Sequence, residues 1–261
     1  MIDLDLRSCE LCPRLCRVNR EEKPGACGCG ARLFAARAAL HFGEEPCISG
    51  AEGSGTVFFS GCNLHCVFCQ NHKISRERYG KELTAARLAD IFRELEEKGA
   101  NNINLVTPTP WVTEIRKALQ LYRPKVPVLY NTSGYERVEV LRELEGLIDV
   151  WLPDYKYADS ALAARFSGAA NYPEVARAAI REMYRQSGNL KLNAAGKAVS
   201  GVMIRHLVLP LHLKNSFAVL EDIAKEYGTE QYVSLMFQYT PFRETRYPEL
   251  NRSLTAMERK R

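Results

Sequence analysis

The sequence predicts an α/β fold: a partial, open (β/α)6 barrel of TIM-like type, preceded by a small Cys-rich segment. Three observations lead there. From Gly55 onward, short and nearly continuous apolar runs alternate with amphipathic stretches. Six such runs can be found, where a closed barrel would need eight. All nine cysteines fall at or before Cys69, so the first part of the chain differs in kind from the rest.

The strand candidates are residues 56–60, 103–107, 126–131, 148–153, 202–209 and 232–239. Most are runs of Val, Ile, Leu and aromatics, the pattern of parallel strands covered on both faces. Helix candidates lie between them. Residues 83–98 place Leu83, Leu88, Ile91, Phe92 and Leu95 on one stripe, and Gly99 follows as a C-terminal stop. Residues 111–122, 135–144, 172–186 and 216–227 are the others. Strand–helix alternation of this kind implies βαβ units with right-handed crossovers. Three stretches are expected: a Cys-rich segment at 1–50, the barrel at 51–241 and an irregular polar tail at 242–261.

Composition narrows the function. A chain of 261 residues with 46% hydrophobic content can bury one sizeable core. The net charge of +5 is spread among mixed-sign neighbours, as in Arg93-Glu94-Leu95-Glu96-Glu97-Lys98, which reads as a solvated surface rather than a nucleic-acid patch. Asp3 and Asp5 stand where a secretory leader would be basic and apolar, and no run approaches membrane-span length. The expected location is therefore cytoplasmic. Thiols stay reduced there, so crowded cysteines read as metal ligands rather than disulfides.

The segment Gly61-Cys62-Asn63-Leu64-His65-Cys66-Val67-Phe68-Cys69 follows the first barrel strand. Its C-x3-C-x2-C spacing puts three thiolates on one short loop, enough for three corners of a cubane cluster with one iron left open. Structural zinc would want a fourth ligand. His65 sits between two of the cysteines, where simultaneous reach is awkward.

C-x3-C-x-aromatic-C after a first strand resembles the signature of the radical S-adenosylmethionine (SAM) superfamily, with Phe68 in the aromatic place. Over about residues 45–240 the chain is most similar to proteins related to pyruvate formate-lyase activating enzymes, in a branch with extra N-terminal cysteines. Gly43-Glu44-Glu45-Pro46-Cys47-Ile48-Ser49-Gly50, Asn104-Leu105-Val106-Thr107-Pro108-Thr109 and Tyr130-Asn131-Thr132-Ser133-Gly134-Tyr135 carry that likeness. The resemblance implies a [4Fe–4S] cluster on Cys62, Cys66 and Cys69, and SAM on the open iron. It also implies one-electron cleavage to a 5′-deoxyadenosyl radical and hydrogen abstraction from a substrate. A flavodoxin- or ferredoxin-like protein would donate the electron, and the substrate would be a glycyl radical enzyme or a small molecule.

The same resemblance assigns further contacts. Thr107 and Thr109 would meet the SAM amino group, in a Thr-Pro-Thr-Pro segment where many members have Gly-Gly-Glu-Pro. Asn131 and Ser133 would reach the ribose or carboxylate, although Ser133 could instead cap a helix. Asp154 and Lys156 form an Asp-x-Lys pair whose lysine meets the SAM carboxylate. Arg205 would help hold SAM, while His206 is either a site or a core residue. Leu211 stands where the family pattern has Gly. Gln238 and Tyr239 could line the substrate cavity.

Cys9, Cys12, Cys16 and Cys27 make a four-thiolate set suited to zinc, to mononuclear iron or to a second [4Fe–4S] cluster, with Cys29 as an alternative fourth ligand. Cys47 is open between a buried thiol, a ligand and a substrate contact. Two other functions compete with radical chemistry: a non-enzymatic Fe–S protein for electron transfer or redox sensing, and a radical enzyme acting on nucleic acid.

Overall fold

The computed structural model describes residues 5–77 and 79–260. Met1–Leu4, Arg78 and Arg261 lie outside it, so Asp3 and the last residue of the polar tail are outside the described residues.

Ten strands follow in chain order: β1 Leu33–His41, β2 Ser54–Phe59, β3 Lys81–Leu83, β4 Ile103–Val106, β5 Val128–Thr132, β6 Val150–Pro153, β7 Lys191–Leu192, β8 Ala198–Val202, β9 Ile204–Leu207 and β10 Val233–Met236. The helices are α1 Pro46–Ser49, α2 His72–Arg76, α3 Ala85–Glu97, α4 Val112–Leu121, α5 Val138–Arg142, α6 Ser160–Ser167, α7 Tyr172–Ser187, α8 Leu213–Tyr227 and α9 Ala256–Lys260. β2, β4, β5, β6 and β8 pair in parallel in that order. β9 then pairs in parallel with β10. A bridge from Asp154 to Arg205 links the end of β6 to β9. The expected fifth strand is thus two short strands joined at Met203, and the six-stranded open barrel stands.

Packing explains the alternation. β5 and β6 are buried along their whole length, and β2 and β4 nearly so. Helices cover the outer face. α3 begins at Thr84, whose hydroxyl accepts from the Arg87 N–H, and buries Leu88, Ile91, Phe92 and Leu95. α7 buries Ala176, Ala179, Ile180 and Met183 in the same way.

Three regions differ from the sequence expectation. The Ala-rich run at 33–41 is a strand, β1, antiparallel to β2 and β3. The Cys-rich segment is therefore joined to the barrel sheet through β1. The pairing of β1 with β2 carries an irregularity between Ala35 and Arg37, and periodicity cannot reveal it. The helix expected at 135–144 shrinks to α5, because Gly134 has φ of +76° and a Cβ there would stand 2.3 Å from the Asp154 carbonyl. In the tail, Tyr247, Leu250 and Leu254 are buried, so polar composition hid a docked segment.

Candidate functional site

β2 ends at Phe59, and the chain must then leave the sheet. Gly61 makes that turn with φ of +86°; a Cβ there would stand 2.0 Å from Cys29 Sγ. The loop that follows is tied down by backbone. Val67 N–H donates to Phe166 O (2.8 Å), and Cys69 N–H to Cys66 O (3.3 Å). The Ser167 hydroxyl donates to Cys66 Sγ at 3.0 Å, and Leu64 N–H to Cys62 Sγ at 3.4 Å. Phe68 is buried edge-on against Tyr239, with centroids 6.2 Å apart.

Cys62, Cys66 and Cys69 form one wall of a cavity of about 270 Å³ at the C-terminal ends of the barrel strands. Thr107, Asn131, Ser133, Asp154, Lys156 and Arg205 are among the residues that line it. This brings together most of the residues singled out from sequence. Lys156 Nζ lies 2.5 Å from Asp154 Oδ2. Arg205 contacts Asp154 Oδ1 (3.1 Å), Asn131 Oδ1 (2.6 Å) and Glu44 Oε2 (3.2 Å). Burial alone would raise the Asp154 carboxyl, but Lys156 and Arg205 outweigh it and hold the carboxyl below its ordinary value. Burial likewise opposes the Lys156 charge, and Asp154 with Cys66 restores it. The cavity thus faces three thiols with a charged pair that stays ionised. Burial pushes the Cys62 and Cys66 thiols above their ordinary value, with Lys156 acting in the opposite direction.

Two sequence assignments change. Thr109 does not reach this cavity: its hydroxyl donates to Glu136 Oε1, deep under β5. The prolines on either side turn the loop into a short 3-10 segment that points the side chain inward. Ser133 caps no helix, since α5 starts at Val138 with Arg137 at the cap position. Of the residues left open, His206 is a satisfied core histidine, bonded to Tyr155 O (2.7 Å) and Ser216 Oγ (2.8 Å). His65 turns away to Ala26 O at 3.0 Å. Gln238 lines the cavity, whereas the Tyr239 hydroxyl donates to Leu250 O. Cys47 packs against the apolar group of Ile48, Leu129 and Val150, which makes it a half-buried thiol away from the cavity.

Thr107 and Leu211 both have positive φ, +57° and +63°. They stand where the family pattern has Gly, so the glycine-type backbone is kept without the glycine. A branched residue there carries a cost of about 1–2 kcal/mol.

Glu44 and Glu136 were missed from sequence. Glu44 comes from the loop before α1 and meets Arg205, 161 residues away. Glu136 is fully buried, accepts from the Thr109 and Thr132 hydroxyls, and has its carboxyl pushed up to about 7 by burial. An acidic residue following Gly-Tyr was its only sequence signal.

The sequence profile of the Radical SAM superfamily matches residues 56–188. Uncharacterized protein MJ0674 of Methanocaldococcus jannaschii is 32% identical, over 97% of this chain and 72% of that protein. The chain belongs to the radical SAM superfamily. Members use a [4Fe–4S] cluster and S-adenosylmethionine. The solved structure of native anSMEcpe with bound AdoMet shares the fold, with a TM-score of 0.51 at 13% identity, covering 76% of this chain and 54% of that one. The chain spans about half the length of that solved structure. Among the described residues no helix is long and apolar enough to cross a membrane.

The donor set suits the family's cofactors. Three thiols share one wall, and carbonyl, carboxylate and ammonium groups share the other. The cavity volume, about 270 Å³, falls just below the ~300–1,000 Å³ range of small-ligand sites.

Proposed function

We propose that this radical SAM enzyme holds its [4Fe–4S] cluster on Cys62, Cys66 and Cys69 and acts on a loop of another protein, as a glycyl-radical-activating enzyme does. The observation that carries the reading is the 270 Å³ cavity with three thiols on one side and Asp154, Lys156 and Asn131 on the other.

When bound, the cluster and SAM supply one-electron cleavage of the sulfonium to methionine and a 5′-deoxyadenosyl radical, which takes a hydrogen atom from the substrate. The chain's own residues prepare that chemistry. Lys156, kept cationic by Asp154, pairs with the SAM carboxylate. Asp154, kept anionic, accepts from the SAM ammonium, together with the carbonyl of Thr107. Arg205 spends its donors on Asp154, Asn131 and Glu44, so it acts as a positioning residue that fixes these acceptors. Phe68 closes the apolar side and keeps water from the thiols.

The cavity is modest, and its charged groups are committed to SAM. Among the described residues, its remaining lining, with Leu207, Met236 and Gln238, offers no further ion to recognise a charged metabolite. The substrate therefore meets the radical at the mouth of the open barrel, which suits main chain. A flavodoxin- or ferredoxin-like protein supplies the electron.

The test is anaerobic. Reconstituted protein reduced with dithionite is expected to show an electron paramagnetic resonance signal that SAM perturbs, with 5′-deoxyadenosine formed and lost in Cys66→Ala. A cluster indifferent to SAM, with no 5′-deoxyadenosine, would favour an electron carrier or sensor. Deuterated cell extract, split by size, then tests the substrate class. Deuterium should reach 5′-deoxyadenosine from the macromolecular fraction; transfer from the small-molecule fraction would overturn the protein-loop reading.

A further inference from the structure

The N-terminal segment folds as a tight knuckle. Cys9 N–H donates to Val18 O and Arg17 N–H to Cys9 O, both at 3.0 Å, while Leu15 N–H donates to Cys12 O. Leu15 and Arg17, flanking Cys16, both take positive φ, +43° and +51°. The knuckle brings Cys9, Cys12, Cys16 and Cys27 around one closed void of about 10 Å³, walled by Leu11, Arg20, Asn63, Thr109 and Pro110. Such a space holds about one small probe sphere.

Two buried polar groups at this void lack what they need. Arg20 is 2% exposed, yet its guanidinium donates only to the carbonyls of Gly30 and Pro110 and to Cys9 Sγ at 4.0 Å. Its plane rests on Trp111. Among the described residues no carboxylate pairs with it, and an uncompensated buried cation is costly. Asn63 is 1% exposed and lines the same void, with Oδ1 lacking any partner. Cys29, the other candidate ligand, does not line the void: its thiol lies beside that of Cys27 and donates to Cys27 O and Ser60 O.

We infer that Cys9, Cys12, Cys16 and Cys27 bind a single divalent ion of the zinc class in a closed four-thiolate site, with Arg20 as its charge partner. A divalent ion with four thiolates carries net negative charge, which answers the unpaired guanidinium. Four protein ligands leave no open position, the arrangement of a structural site. Among the described residues no three donor side chains already stand in metal-binding geometry. Loading therefore turns the four thiols inward by side-chain rotation, with one proton lost from each. The ion would sit directly behind the catalytic loop, since Cys62 N–H donates to Cys27 O at 3.4 Å and Arg14 grips Asn63 O at 2.8 Å.

The experiment counts metals in the full chain. Anaerobically purified protein is analysed for zinc, iron and acid-labile sulfide, and zinc-edge X-ray absorption reads the ligands. One zinc per chain with four sulfur neighbours at ~2.3 Å is expected beside a single cluster's worth of iron and sulfide. The Cys62→Ser/Cys66→Ser/Cys69→Ser variant should lose the iron and sulfide and keep the zinc. Cys29→Ser should keep it too, and Cys12→Ser should lose it. A second cluster's worth of iron and sulfide, or protein with neither zinc nor iron beyond one cluster, overturns the inference. So does a zinc that Cys29→Ser removes and Cys12→Ser retains. The wild-type count decides even if a variant fails to fold.

Discussion

The two cysteine centres of this protein lie back to back and are built in opposite ways. Cys62, Cys66 and Cys69 sit on a loop at the strand ends and face a 270 Å³ cavity whose far wall is ionic. Cys9, Cys12, Cys16 and Cys27 surround a void of about 10 Å³ closed by backbone, Arg20 and Asn63. An open cavity leaves coordination for a ligand, while a closed one spends every donor on holding chain together. Positive-φ residues occur at both centres: Leu15 and Arg17 flank Cys16 at the knuckle, and Thr107 lines the open cavity. Glu136 joins them, accepting from Thr109 on the closed side and Thr132 on the open side.

The sharpest break between the centres comes from Cys66→Ala. 5′-Deoxyadenosine formation should fall to background by mass spectrometry, and the thermal unfolding midpoint should move little, since Cys66 is on the open wall. A large stability loss with activity retained would reverse the two roles.

Next in size is the group that joins them. Glu136 titrates at about 7 in the folded protein against an ordinary 4.5. Between those values the folded protein binds a proton that the unfolded chain has lost. Stability therefore falls as pH rises through that window, by about 3 kcal/mol, and stays lower above it. Glu136→Gln should remove this slope, so that denaturant titrations give equal stabilities near pH 4.5 and a gain of about 3 kcal/mol for the variant at pH 8. A parallel pH dependence in both proteins would refute the assignment.

Lys156→Met probes the ionic wall alone. Losing a hydrogen bond to a charged group costs about 1.5–3 kcal/mol, so SAM affinity by isothermal titration should drop ~10- to 100-fold with cluster content unchanged. Unaltered affinity would leave Lys156 as a partner for Asp154 only.

The smallest expected effect is at the rim. Leu211 is exposed, and replacing it with Gly relieves a left-handed backbone while loosening the unfolded chain. Leu211→Gly should gain about 0.5–1 kcal/mol in stability and leave 5′-deoxyadenosine formation unchanged. A loss would mean that the Leu211 side chain is held by something other than its backbone angle.

Much of the open centre was legible in sequence because its signals are local. C-x3-C-x2-C is eight consecutive residues on one short loop, and Asp154 with Lys156 is a strand-end pair. The two misassignments, Thr109 as a SAM contact and Ser133 as a cap, concern the direction of a side chain after a bend. That depends on Pro108, Pro110 and Gly134 within a packed neighbourhood. Among the partners of Arg205, Glu44 left no trace, being 161 residues away, and Arg20 is recognised only by what it lacks.

By itself the sequence determined the strand–helix alternation, the open six-strand barrel and the loop that carries the family signature. Each follows from the order of neighbouring residues, through apolar periodicity and ligand spacing. Only the tertiary structure decided that β1 joins the barrel sheet, that Cys27 rather than Cys29 faces the closed void, and that Glu44, Arg205 and Asp154 form one ionic network. Those outcomes depend on edges, cavities and charges that meet only after distant segments pack. Their energies come from burial and pairing across the fold rather than from any local propensity.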